Sequence, residues 1–209
     1  MVDHNIVVAL EEAFQFGFPL DAEAILIIEV EGIEAELDAQ RDQIIEVCKY
    51  AGAREVQQAE NQQHRQQLWK ARKQAFRAIG RLASSLVTQD GVVPRTQIPQ
   101  MYKKIMEIGK KYEIQIVNVF HAGDGNIHPV MFFDERDPSQ TERVLKAGGE
   151  ILHACLDAGG SVTGEHGIGV EKVQFMKQMF TEDDLEVMTA FRMAFNPNNR
   201  LSPDKMLPT

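Results

Sequence analysis

An antiparallel α+β fold, with helices packed on one face of the sheet, is what this sequence predicts, and three observations carry it. Residues 116–133 are two β-rich apolar flanks meeting at Asp124-Gly125, a hairpin signal because a two-residue type I′ turn needs positive φ at both central positions. Residues 24–30, Ala-Ile-Leu-Ile-Ile-Glu-Val, form another β-branched run, bounded by Asp21 and Gly32. Between and after these runs lie long segments with apolar residues at helical spacing.

In chain order, residues 5–16 predict a short helix that Gly17-Phe18-Pro19 ends. The run 24–30 reads as a buried strand. Residues 33–50 predict a helix with Leu37, Ile44, Ile45, Val47 and Cys48 on one face and Gly52 near its end, and 54–59 a short strand. Residues 64–82 predict a helix with Leu68, Trp69, Phe76 and Ile79 as its core face and a solvated cationic side after Trp69. Residues 89–95 read as a turn and short strand, after which Thr96 opens a helix to residue 112 with Pro99 in its first turns. Helices are further expected at 138–158, 171–179 and 182–195, the last opened by a capping box of Thr181 and Asp184. The tail, rich in Pro and Asn, predicts no helix. All 209 residues are read as a single domain.

Bulk properties narrow the function. A formal charge of −9 argues against general nucleic-acid binding, which draws on excess Lys and Arg. Cys48 and Cys155 sit in apolar helical surroundings and read as reduced core residues, which suits a cytoplasmic location. No basic leader opens the chain and no apolar run reaches the roughly 18 residues of a spanning helix, so neither secretion nor a membrane span is expected.

The chemistry concentrates at the hairpin. Counted outward from a two-residue turn, His121 faces His128 on one side of the sheet, with Cβ atoms about 5 Å apart. Two neutral imidazoles so placed can hold one divalent ion such as Zn, Mn or Fe. A third ligand must come from a loop folding over the hairpin, and the Glu165-His166 pair, flanked by glycines, is the candidate. Because adjacent side chains diverge, Glu165 is assigned to the metal and His166 to the role of general base. Asn126 can orient a ligand or substrate. The competing account is a pair of structural histidines stapling a tight turn. The glycines of 160–169 lack the G-x-G-x-x-G order, so dinucleotide binding there is not expected.

His-Ala-Gly-Asp-Gly-Asn-Ile-His at 121–128, Thr-Gly-Glu-His-Gly-Ile-Gly at 163–169 and the Pro-rich tail together carry a family resemblance. The chain resembles the C-terminal half of FAD-linked 2-hydroxyacid oxidoreductases, the family of the glycolate oxidase D-type flavoprotein and of D-lactate and D-2-hydroxyglutarate dehydrogenases. The likeness extends over essentially all 209 residues and includes Leu68-Trp-Lys-Ala-Arg-Lys and Gly91-Val-Val-Pro-Arg-Thr. It implies a ferredoxin-like cap domain, a metal held by His121, His128 and Glu165, and His166 as the base taking the hydroxyl proton of a small 2-hydroxy acid. It implies Arg72 as the partner of the substrate carboxylate, with Arg95 as a second candidate. The family tail reads Asn-Pro-Gly-Lys and here reads Ser202-Pro203-Asp204-Lys205, so the expected FAD contacts fall on Ser202 and Lys205. FAD itself is expected on an N-terminal FAD-binding domain or subunit absent from this chain, without which the chain is expected to be inactive. Peripheral membrane attachment through partner subunits and a homo-oligomeric contact are compatible with this. Two alternatives stay open: a non-haem metal oxygenase using the same triad, and a non-catalytic binding module.

Overall fold

A computed structural model describes residues 1–80 and 83–208, and its contacts divide into two compact units, Met1–Ile79 and Gly80–Thr209. In the first unit, β1 (Val2–Asp3) pairs antiparallel with β2 (Ala24–Ile25). Helix α1 (His4–Phe14) starts where the Asp3 side chain accepts from the Ile6 N–H, satisfying a donor of the open first turn. Helix α2 (Glu34–Tyr50) and helix α3 (Gln62–Ile79) follow; α1 packs on α3, and Ile6, Val7 and Leu10 of α1 and Ala71, Ala75 and Ala78 of α3 are buried.

Several expectations for this unit need correction. The run 24–30 is a strand only at Ala24–Ile25, because β1 offers two residues to pair; beyond them Leu26 and Ile28 are exposed. Residues 54–59 form no strand: their side chains are mostly exposed and no strand among the described residues pairs with them. In α3 the buried stripe is alanine with Ile79, while Phe76 points outward and Leu68 and Trp69 are half-buried, because close approach of α1 favours small side chains. Helix α2 keeps its apolar face only half-covered, with Val47 exposed. The predicted end of α3 at residues 81 and 82 lies outside the described residues.

In the second unit, β3 (Ser85–Thr88), β4 (Gly91–Val92) and β5 (Ile116–His121) all pair antiparallel with β6 (Asn126–Phe133), β3 and β4 along one edge and β5 along the other. Helix α4 (Ile98–Tyr112), entered through a 3-10 turn at Arg95–Gln97, packs on α5 (Pro138–Asp157). Both cover the sheet face that carries Phe120, Ile127 and Met131, since Tyr102 of α4 meets Phe120 edge-on and Gly148 of α5 lies against Met131. The expected antiparallel α+β arrangement with helices on one face is therefore found. Cys155 of α5 is fully buried, and burial pushes its thiol up to about 12, so it is an inert core residue. The single helix expected at 171–179 is instead two short turns, α6 (Gly169–Lys172) and α7 (Met176–Met179), joined by a 3-10 turn. That break lets Phe175 dock on Leu152 and Val162. Helix α8 (Glu182–Phe195) has both halves of its capping box, Thr181 with Asp184. Among the described residues no helix is long and apolar enough to cross a membrane.

The hairpin differs from expectation in its turn. Residues 122–125 make a four-residue loop in which the Asp124 N–H donates to the His121 carbonyl and Gly125 alone takes a positive φ, of 79°. A type I′ turn needs two such residues, so Asp124-Gly125 is not the whole turn. Gly125 is pinned as well as turned: its carbonyl accepts from the Val93 N–H at 3.0 Å, and a Cβ there would run into the Val93 carbonyl oxygen. Gly125→Ala is expected to destabilise the chain by about 2–3 kcal/mol, combining strain with loss of that hydrogen bond. Urea unfolding checks this; an unchanged midpoint would contradict it.

Candidate metal centre

The four-residue loop sets His121 opposite Asn126 and Val119 opposite His128. His121 and His128 are thus diagonal neighbours, not direct partners, yet they share the face away from α4 and α5, with ring centroids 5.4 Å apart and nearly perpendicular. The side chain of His128 is 4% exposed and that of His121 is 41% exposed, so one is a fixed wall and the other an open rim. His128 Nδ1 lies 3.3 Å from the Gln89 carbonyl; assigning the proton to that nitrogen leaves the Nε2 lone pair facing the site. Burial lowers the His128 pKa, outweighing the Gln89 carbonyl and the Glu165 carboxylate that raise it, and this favours the neutral, ligating form.

The second part of the centre is a loop strapped to the edge of β4. Ser161 exchanges backbone hydrogen bonds with Val92, and the chain then turns back over the sheet at Thr163–His166. Glu165 Oε1 comes within 3.3 Å of His121 Nε2, and Oε2 within 3.6 Å of His128 Nε2. Two donors held about 2.1 Å from one ion at a tetrahedral angle lie about 3.4 Å apart, so these three side chains suit a single divalent cation. His166, exposed, stacks on the His128 ring at 5.4 Å. Gly164 lets the loop approach Asn126, whose Nδ2 would lie 2.7 Å from a Cβ at that position. Asn126 is buried, and its Oδ1 has no hydrogen-bond partner among the described residues, a free acceptor beside the histidines.

Sequence reasoning missed Asp90. In Gln-Asp-Gly it reads as a turn former, but β3 and β4 keep one register along β6, from Thr88 opposite Val130 to Gly91 opposite Ile127, and this sets Asp90 across from His128. Its buried carboxylate accepts from the Thr163 hydroxyl at 2.7 Å and from the N–H groups of Gly164, Glu165 and His166 at 2.8–3.2 Å. Burial alone would raise its pKa; these hydrogen bonds outweigh burial and hold the carboxyl well below the usual range. Lys172, also buried, stands 3.5 Å from Asp90 Oδ2.

The other candidates are placed as follows. Arg95 is exposed in the 3-10 turn, with its backbone N beside Gly125 at the hairpin tip. Arg72 belongs to the first unit, on α3, where it lines a small recess with Met1, Val2, Leu10 and Phe18. Ser202 and Lys205 are exposed on the tail, which is tied to α8 by Arg192, a donor to the Ser202 carbonyl at 3.0 Å, and by Asn196. The loop at 163–169 does not fit a pyrophosphate cradle, because the N–H groups of Gly164, Glu165 and His166 are all taken by Asp90.

Comparisons with known proteins agree with this architecture. Residues 1–206 match the family described as FAD linked oxidases, C-terminal domain. Glycolate oxidase subunit GlcD of Escherichia coli strain K12 is 38% identical over 209 residues, covering 100% of this chain and 42% of that protein. The protein of the same name from Bacillus subtilis strain 168 is 35% identical, covering 98% of the chain and 44% of its own length. A mitochondrial D-lactate dehydrogenase [cytochrome] of Arabidopsis thaliana is 25% identical over 88% of the chain and 33% of its own length. The chain thus spans less than half the length of these relatives. Among solved structures, p-cresol methylhydroxylase with substrate bound shares the fold, with a TM-score of 0.58, 17% identity, and coverage of 84% of this chain and 36% of that one.

Proposed function

The chain belongs to the family of FAD linked oxidases, C-terminal domain, and from that premise we propose that it is the cation- and substrate-binding part of a flavin-dependent oxidoreductase acting on a small 2-hydroxy acid, glycolate or D-lactate. The observation that carries this reading is Glu165, whose two oxygens each face the Nε2 of a different histidine at a spacing suited to one ion. His121, His128 and Glu165 would hold a divalent cation, of Zn, Mn or Fe type, that supplies Lewis acidity toward the substrate hydroxyl.

The remaining residues divide the work. His166, exposed and stacked beside His128, is the base that takes the hydroxyl proton. Asn126 Oδ1 is a ready acceptor for a hydroxyl or a bound water. Arg72 and Arg95 are the candidates for a bidentate grip on the carboxylate. FAD, the expected hydride acceptor, is assigned to a partner domain or subunit, since the N–H groups of Gly164, Glu165 and His166 in the glycine loop are already held by Asp90. Ser202 and Lys205 are the candidate contacts from this side. Exposed Phe191 and Phe195 on α8 and Leu201 on the tail suit a surface that such a partner covers.

The reading is tested by combining the chain with the FAD-binding part of a glycolate oxidase relative and adding glycolate or D-lactate. Bleaching of the flavin absorbance is expected with at least one of them. No bleaching with either overturns it, and oxygen uptake with iron but without flavin would favour the oxygenase alternative.

A further inference from the structure

We infer that Asp90, backed by Lys172, is the positioning residue of this centre: it holds the segment bearing Glu165 and His166 over the histidine pair, and so sets the site's affinity for a divalent cation without binding that cation. The inference rests on the cation reading proposed above. Its geometry is a buried carboxylate wrapped by four consecutive residues of one loop. Asp90 accepts from the Thr163 hydroxyl and from the N–H groups of Gly164, Glu165 and His166, so these three amides converge on one anion as a backbone nest. Thr163 extends the grip by accepting from the Gly167 N–H at 2.8 Å. Lys172 completes the arrangement from below: only 5% exposed, it donates to the Asp90 carbonyl at 3.3 Å and neutralises the carboxylate.

Asp90, His128 and His166 also bring their donor atoms within 4.8 Å of one another, which could suggest a second ligand set. The hydrogen bonds argue against it. The carboxylate already accepts four donors besides facing Lys172, close to the four lone-pair sites it has. His128 turns Nδ1 toward the Gln89 carbonyl, at 3.3 Å, in preference to Asp90, at 4.0 Å, and keeps Nε2 for the side where Glu165 stands. Asp90 therefore acts on the cation through the backbone that carries Glu165, as outer-shell groups do in metal sites.

The test is Asp90→Asn in the full chain, which keeps the side-chain volume but sets amide hydrogens against the loop's own N–H groups. Titration with Mn²⁺ and Zn²⁺ is expected to show affinity lowered by about 10- to 100-fold, with the circular dichroism of the folded chain retained. Deuterium exchange at residues 163–167 is expected to rise at least about tenfold, with β5 and β6 unchanged. Unaltered affinity and exchange, or a lower melting temperature with unaltered affinity, would overturn the inference. Should Asp90→Asn not fold, Thr163→Val removes one donor at constant shape and is expected to weaken cation binding about tenfold; no change in binding or in loop exchange would count equally against it. If the unaltered chain binds neither cation, the cation reading fails, and loop exchange in the variants alone decides whether Asp90 positions the segment.

Discussion

Flavin reduction by the 2-hydroxy acid is expected to slow about 10²- to 10⁴-fold in His166→Ala, the range over which a positioned general base typically contributes. The loss should fall on the rate of reduction at saturating substrate and leave substrate affinity nearly unchanged, because His121, His128, Glu165 and the arginine candidates remain in place. His166 is exposed and packs face to face on His128, so its removal opens a space without disturbing the core. Added imidazole should enter that space and restore part of the rate, which a purely structural histidine would not permit. Rapid-mixing measurement of flavin bleaching separates the outcomes. A rate within about threefold of the unaltered protein would remove His166 from the role of base.

His128→Ala should cost still more in a different quantity. His128 is the buried member of the triad, with Nδ1 placed by Gln89 and Nε2 facing Glu165. Outer-shell changes alone weaken metal sites about 10- to 100-fold, and loss of this ligand should exceed that, reducing affinity for Mn²⁺ or Zn²⁺ by more than about 100-fold. Stability should fall too, since the substitution empties a position on the wall of the sheet. His121→Ala provides the contrast: its side chain is 41% exposed, so affinity should drop with little loss of stability. Cation titration and thermal melting of the two variants check the pair, and retained affinity in both would mean that the histidines only brace the hairpin.

Much of the fold is legible in the sequence because long amphipathic segments report their period directly. Residues 98–112, 138–157 and 182–195 are helices close to where spacing and capping residues put them. The run 24–30 misleads because apolar β-branched composition says nothing about whether a partner strand exists to pair with. The hairpin is the instructive case. Reading Asp124-Gly125 as the entire turn misplaces the register by two residues, and a slip of two keeps every side chain on its face, whereas a slip of one would have separated the histidines. The convergence of His121 and His128 is therefore readable although their pairing is not. Asp90 is not readable, because its importance lies in cross-strand register and in hydrogen bonds to a loop more than seventy residues away. The glycines of 163–169 announce a loop, and only its approach to Asn126 explains Gly164.

Metal content of the purified chain tests the account most directly. After dialysis against Mn²⁺ or Zn²⁺ and removal of free ion, elemental analysis should find one cation per chain, with that cation lost when Glu165 is replaced by Gln. A chain that retains no stoichiometric cation, or one whose cation persists in Glu165→Gln, would contradict it.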